Sequence, residues 1–326
     1  MKINNLYLAG LGACASLAAA SGASAITHGK ADTAQDPLAS SVVALVADRA
    51  GGSEALCTGT IVDDGIILTA AHCVDGAPER IAIVFGTDVH RPVALRKATG
   101  FEQNPAWQRN EASGRGDLAL VSFEGGLPDG FEPVALAQPG VVLRNGIETT
   151  MVGYGVTSAK REKGAGHLRK TKTVIIGQAS ATELVTDGHA GSVCFGDSGG
   201  PAFIAGHRTR HVKGEPLKEP APVQWGVASS VMNETCNEAS IHTNVADYSD
   251  WIAEVAARLG HRKARPSRRL TEPTALSGQL ELPVFDVAMT SKAPAKTPPT
   301  VKRAAPKKQR SRPSGKKALP AEERLD

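Results

Sequence analysis

A chain of 326 residues, 41% hydrophobic and 21% charged, has room for one large or two modest domains, and its composition excludes a fibrous or wholly disordered protein. The formal net charge of +4 conceals two opposite pieces: residues 26–260 carry 20 Lys or Arg against 27 Asp or Glu, whereas residues 261–326 carry 16 against 6. No segment beyond the first 25 residues has the roughly 18 continuous apolar residues that a membrane-spanning helix needs, so a soluble mature protein is expected.

In chain order, residues 1–25 come first. Lys2, an apolar run from Leu6 to Ala20 and the small-residue site Ala23-Ser24-Ala25 together predict a secretory signal peptide. Leu11-Gly12-Ala13-Cys14 resembles a lipobox, which makes lipid anchoring through Cys14 the lesser alternative, because the Ala-Ser-Ala site is the better cleavage signal. A secreted or periplasmic location is therefore expected. With Cys14 assigned to the leader, Cys57, Cys73, Cys194 and Cys236 remain, enough for two disulfides in any of three connectivities.

Residues 26–260 contain short β-branched runs broken by turn residues: SSVVALVAD, TGTIVDDGIILTA, RIAIVFG, DLALVSF, TKTVIIG and QWGVASS. This pattern predicts an all-β domain. One helix is predicted at its end, from Tyr248 to about Leu259, with Trp251, Ile252, Val255 and Leu259 on one face and Gly260 as its stop. The remainder, 261–326, is basic, rich in Pro and Ser and without sustained apolar periodicity, so disorder is its expected state. Its densest run, VKRAAPKKQRSRPSGKK, suits an anionic surface or polymer, and no interleaved aromatic residues suggest a stable nucleic-acid complex.

Three stretches carry chemistry. LTAAHC places His72, GDLALV places Asp117 at the head of an apolar strand, and CFGDSGGP places Ser198 between an acid and two glycines. A serine hydroxyl is a poor nucleophile at neutral pH and needs a base to take its proton, and that base needs a third group to orient it. Each residue alone would be ordinary: a surface histidine, a strand-end carboxylate, a turn hydroxyl.

Together, and in this order, the three stretches resemble the chymotrypsin-like (trypsin-type) serine proteases over most of residues 26–260, and the combination of TAAHC with GDSGGP is highly specific. MVGYGV around Tyr154 is similar to the family's Gly-Trp-Gly turn. The resemblance implies two six-stranded antiparallel β-barrels with a C-terminal helix. It also implies a serine endopeptidase with His72 as base, Asp117 as orienter, Ser198 as nucleophile, and the backbone N–H groups of Gly196 and Ser198 as the oxyanion hole. Ser229 matches the family serine that helps hold the catalytic aspartate.

The resemblance further implies the pairings Cys57–Cys73 and Cys194–Cys236. The acidic calcium-binding loop of trypsins has no obvious counterpart, so neither metal nor cofactor is expected. Protein or peptide substrates and a monomer are. For the primary specificity pocket it implies Ser192 at the base and Val231 and Ser240 on the walls. These residues are uncharged and narrow the pocket, so Arg or Lys is disfavoured and small aliphatic side chains are favoured. His242 falls near the back of the pocket, where glutamate-specific relatives can place a histidine, which leaves an acidic preference as an alternative. The matching partner positions, Ala202 and Ala228, lack the other histidines of that arrangement.

In this family the new N-terminal residue inserts its α-amine beside the acid preceding the catalytic serine. Here Ile26, at the start of ITHG, and Asp197 are the implied pair, so one cut after Ala25 would both complete export and activate the enzyme. Breaking such a buried pair costs about 3–5 kcal/mol. The competing reading from another class is a catalytically silent binding protein using the barrel surface and basic tail. The long stretch from about Gly206 to Val223 would serve as an exosite in either case.

Overall fold

The computed structural model describes residues 26, 30–31, 36–49, 53–107, 115–189, 191–206 and 221–263, with residues 30, 31 and 261–263 as backbone only. The predicted leader, most of the predicted tail and most of the long 206–223 stretch lie outside the described residues.

The run VVALVAD forms β2 (Val42–Asp48), buried along nearly its whole length. Alternate side chains go to opposite faces of a strand. Val43, Leu45 and Ala47 fill the interior of the first barrel, while Val42, Ala44 and Val46 pack outward against Val152, Tyr154, Leu168 and Phe203 of the second half of the chain. The absence of polar alternation in this stretch follows from that double burial. β2 is both a barrel stave and part of the seam between the two halves.

The first barrel is completed by β3 (Glu54–Asp63), β4 (Ile66–Thr69), β5 (Ile81–Phe85), β6 (Ala94–Gln103) and β7 (Ala119–Phe123), in the closed order β2-β3-β4-β7-β6-β5. Phe85 anchors its interior, edge-on to Phe123 at 5.7 Å and to Phe131 at 5.1 Å. The second barrel consists of β9 (Glu148–Gly153), β10 (Arg169–Ser180), β11 (Glu183–Asp187), β12 (Pro201–Ala205), β13 (Pro222–Val231) and β14 (Ala239–Asn244). Antiparallel pairing of β9 with both β10 and β12 closes it. Two short strands add to it: β1 (Lys30–Ala31) on β10, and β8 (Ala135–Leu136) parallel to β13. The architecture is all-β, with two closed six-stranded antiparallel barrels and one C-terminal helix.

That helix departs from its predicted bounds. A 3₁₀ turn over Val245–Tyr248 leads into α1 (Ser249–Lys263), which runs through Gly260 instead of stopping there. Glycine costs a helix about 1 kcal/mol relative to alanine but does not break it. Ile252, Val255 and Leu259 form the buried face, and α1 lies against β4, β6 and β7 of the first barrel.

Candidate active site

The loops that face each other across the seam carry the three chemistry-bearing residues. His72 sits in a 3₁₀ turn, Ala71–Val74, directly after β4. The turn is held from two sides: Cys73 is bonded to Cys57 of β3, and the Gln103 amide donates to the Ala71 carbonyl at 2.9 Å. Asp117 ends the loop before β7 and is fully buried. Its Oδ2 lies 2.8 Å from His72 Nδ1 and accepts the Ser229 hydroxyl at 2.6 Å, while Oδ1 accepts the His72 backbone N–H at 3.0 Å. Burial pushes the Asp117 carboxyl up, but the His72 charge and these hydrogen bonds outweigh it and hold the group below the usual aspartate value. Asp117 is thus a fixed anion that sets the imidazole's orientation and leaves His72 Nε2 for chemistry.

Ser198 lies in the loop between β11 and β12. This loop is knitted onto β13 by Gly199 N–H to the Ala228 carbonyl at 2.8 Å and Ala228 N–H to the Gly200 carbonyl at 2.9 Å. The first barrel grips it through Thr58, whose N–H donates to the Ser198 carbonyl at 2.8 Å and whose hydroxyl donates to the Gly196 carbonyl at 2.9 Å. The Ser198 carbonyl also lies 3.6 Å from Cys73 Sγ, next to the histidine turn. No hydrogen bond joins Ser198 Oγ to His72 among the described residues, a looseness common in substrate-free sites of this kind. Gly196 has φ +96°, and a Cβ there would meet the Gly155 Cα at 2.9 Å, so only glycine suits it. With the loop in this conformation, neither the Gly196 nor the Ser198 N–H donates to an acceptor among the described residues. Both remain available to a substrate carbonyl oxygen.

Asp197 points away from this surface into the second barrel and is fully buried. Oδ1 accepts the Gly155 N–H at 2.7 Å and Oδ2 the Cys194 N–H at 2.8 Å. The glycines of Gly153-Tyr154-Gly155 make room for it: a Cβ at 153 or 155 would stand 2.2 or 2.5 Å from the carboxylate. Tyr154 spans the seam, with its hydroxyl 2.6 Å from the Gly86 carbonyl and 3.2 Å from that of Val42. Burial raises the Asp197 carboxyl to about 7, against the two backbone donors and the Arg169 charge, which lower it. Ile26 is also fully buried, with φ +49°. No hydrogen bond joins Ile26 to Asp197 among the described residues.

The residues assigned to the specificity pocket fall into two layers. Ser192 and Ser240 are fully buried, and their hydroxyls are 2.6 Å apart, while Val231 at the end of β13 is partly exposed. His242 lies deeper and is fully buried, its ring 5.5 Å from that of Trp225 and its Nε2 3.1 Å from the Thr186 hydroxyl. Burial lowers its pKa to about 3, so the ring is neutral at physiological pH. Cys194 and Cys236 are disulfide-bonded beside this pocket. Cys57, His72 and Cys73 bring potential metal-ligand atoms within 4.8 Å of one another, but both sulfurs are spent in the disulfide and offer no thiolate.

Two contributions escaped sequence reasoning. Trp107 stands beside His72, ring centroids 6.4 Å apart, with its indole N–H donated to Asp75 at 3.1 Å. A turn built on Asn104 delivers it, and the only hint was an isolated tryptophan in a chain that is 4% aromatic. Thr58 carried no signal, since its role depends on a loop 138 residues away in sequence.

The sequence profile described as Trypsin matches residues 32–252, more than half of the chain. The chain belongs to the trypsin family. Trypsin eta of Drosophila melanogaster is 30% identical over 223 residues, covering 61% of this chain and 76% of its own. Chymotrypsin-like elastase family member 1 of Macaca fascicularis is 27% identical, covering 62% and 79%. Coagulation factor XII of Rattus norvegicus is 25% identical, but the match spans only 37% of that longer protein. The solved structure of HL collagenase superposes with a TM-score of 0.59 over 71% of this chain and 98% of its own, at 20% identity, and so speaks for the fold. Membership in this family supports peptidase chemistry on protein or peptide substrates, and the paired cysteines fit a protein that functions in an oxidising, extracellular setting.

Proposed function

We propose that this trypsin-family chain is a serine endopeptidase working through an acyl-enzyme, with a preference for small aliphatic side chains on the acyl side of the cut bond. The observation that carries the reading is the threefold hold on the catalytic pair: Asp117 takes His72 Nδ1, the His72 N–H and the Ser229 hydroxyl, while being sealed from water. A silent binding relative has no need to maintain a buried, charge-stabilised orienter. In the proposed reaction Ser198 Oγ attacks the substrate carbonyl carbon as His72 Nε2 takes its proton. The developing oxyanion is received by the Gly196 and Ser198 N–H groups. The C–N bond breaks as His72 returns the proton to the leaving amine. Water, deprotonated by His72, then cleaves the Ser198 ester to release the acid and restore the serine. Losing one oxyanion donor in such a site costs about 10²- to 10³-fold in rate.

The pocket supports the specificity reading. Its floor is a pair of serines already hydrogen-bonded to each other, with no charge to meet Arg or Lys. An acidic side chain is less well served, because His242 lies behind that floor and stays neutral far below pH 7. Covalent labelling of Ser198 by a fluorophosphonate, abolished in Ser198→Ala, tests the enzyme reading against a silent binding protein. A peptide panel varying only the residue before the cut tests the pocket, and fastest cleavage after Arg or Lys would sink that part.

The reading extends to activation. Release of the α-amine at Ile26 by removal of residues 1–25 would place a cation near Asp197, whose carboxyl is otherwise only partly ionised at neutral pH. A form retaining Ala25 should show sharply reduced hydrolysis. Full activity in that form, or a natural N-terminus other than Ile26, refutes the one-cut scheme.

A further inference from the structure

Arg169 is a buried cation that the catalytic scheme does not use. It opens β10 between two neighbours, Gly153 of β9 on one side and Ala31 of β1 on the other. Residues directly opposite one another in a ladder project to the same face of the sheet. At Gly153 that face is occupied by Asp197, whose Oδ1 lies 2.2 Å from where a Cβ would be. The Arg169 side chain therefore leaves the sheet on the Asp197 side, and it is only 9% exposed. One guanidinium nitrogen, Nη1, is fixed by the carbonyls of Gly164 at 2.8 Å and His167 at 2.9 Å, while Nε and Nη2 make no hydrogen bond among the described residues. Burial of a cation without a counter-charge is costly, and Asp197 is the carboxylate whose charge reaches it, through space and without an ion pair joining the two among the described residues. Around Asp197 the other elements offer the backbone N–H groups of Gly155 and Cys194, leaving Arg169 as the charged group that lowers its carboxyl.

We propose that Arg169 is a second positioning residue for the oxyanion loop, an internal cation that keeps Asp197 turned toward Gly155 and Cys194 before any α-amine is freed at Ile26. The inference rests on the serine-peptidase reading and changes its regulatory consequence. Asp197 answers to two cations instead of one: a permanent guanidinium and an amine that exists only after the cut. The leader-bearing chain then has a low basal activity, and the cut raises it instead of creating it. β1, which begins at Lys30, pairs with the start of β10, so Ala31 stands opposite Arg169 itself. Guanidinium stays protonated across the working pH range, whereas an α-amine titrates near 8 in isolation, which allows the two contributions to be separated.

The test compares the refolded full chain, leader attached, with the chain beginning at Ile26, using the rate of fluorophosphonate labelling at Ser198. The leader-bearing chain is expected to label slowly but measurably. Arg169→Gln should cut that rate about tenfold or more and the rate of the Ile26 form by a smaller factor, while Arg169→Lys restores most of the loss. In the Ile26 form, raising the pH past the amine's titration should take the unsubstituted protein down to a plateau and Arg169→Gln down to zero. Equal labelling of the leader-bearing chain with and without Arg169→Gln overturns the proposal. So does an alkaline limb that falls to zero in the unsubstituted protein, a readout that needs no variant to fold. Absence of Ser198 labelling in every form defeats the peptidase reading itself, and this proposal with it.

Discussion

Two buried side chains, His242 and Asp197, tie stability to pH in opposite senses. The folded chain holds His242 neutral down to about pH 3, whereas the unfolded chain protonates it below about 6.5. The stability it contributes is complete above the unfolded value and drains as the pH falls toward 3, by at most about 1.4 kcal/mol per unit. Asp197 is raised to about 7 in the chain with its leader, so its contribution is complete below the unfolded value near 4 and drains as the pH rises toward 7. The two slopes offset each other between about pH 4 and 6.5. Urea unfolding of the leader-bearing chain, in a Ser198→Ala background to prevent self-digestion, should give a nearly flat profile there. His242→Phe should tilt the profile downward with rising pH and Asp197→Asn upward. Ser229→Ala removes one donor from the buried Asp117 carboxylate, and hydrogen bonds to charged groups are worth about 1.5–3 kcal/mol. The expected result is a fall in kcat of roughly tenfold or more with KM little changed.

At the scale of elements, the sequence made the catalytic strands easy to find and hid their neighbours. β2, β4, β5 and β7 are short apolar runs because barrel interior or seam covers them. β6, ALRKATGFEQ, offers no such run: it is partly exposed along its length and alternates imperfectly, since the β-bulge between Ala98 and Gly100 shifts its register against β7. The candidate triad was legible because its residues sit in local motifs. Thr58, Trp107 and Arg169 were not, because what they touch lies far away in sequence. The Cys57–Cys73 bridge closes a short loop of sequence separation 16 that carries His72. Replacing both cysteines by alanine should cost about 3 kcal/mol in the loop-entropy picture and lower the melting temperature by several degrees. Activity should fall further than stability does, because the histidine turn loses its tie to β3. A comparable test of the GYG turn is Gly155→Ala, whose added methyl would stand 2.5 Å from the Asp197 carboxylate. Far-UV circular dichroism should survive while fluorophosphonate labelling drops at least about a hundredfold.

For the whole molecule, the candidate site is built across a seam: the first barrel supplies His72, Asp117 and the Thr58 grip, and the second supplies Ser198, Asp197 and Ser229. Neither barrel holds a complete site. Deleting residues 264–326, beyond the end of α1, should leave hydrolysis of a small peptide largely intact, and near-total loss in a still-folded protein would give the basic segment a larger part than accessory binding. Cutting instead before Ser249 removes the helix whose Ile252, Val255 and Leu259 cover β4, β6 and β7, and should leave the first barrel prone to aggregation. That last packing also sets a schedule. A chain emerges from its N-terminal end, and domains assemble as their parts become available. The staves of the first barrel emerge early, yet their outer face waits for a helix that ends some 140 residues after β7. The histidine half of the candidate site is therefore covered only once α1, the last of the described elements, has been made.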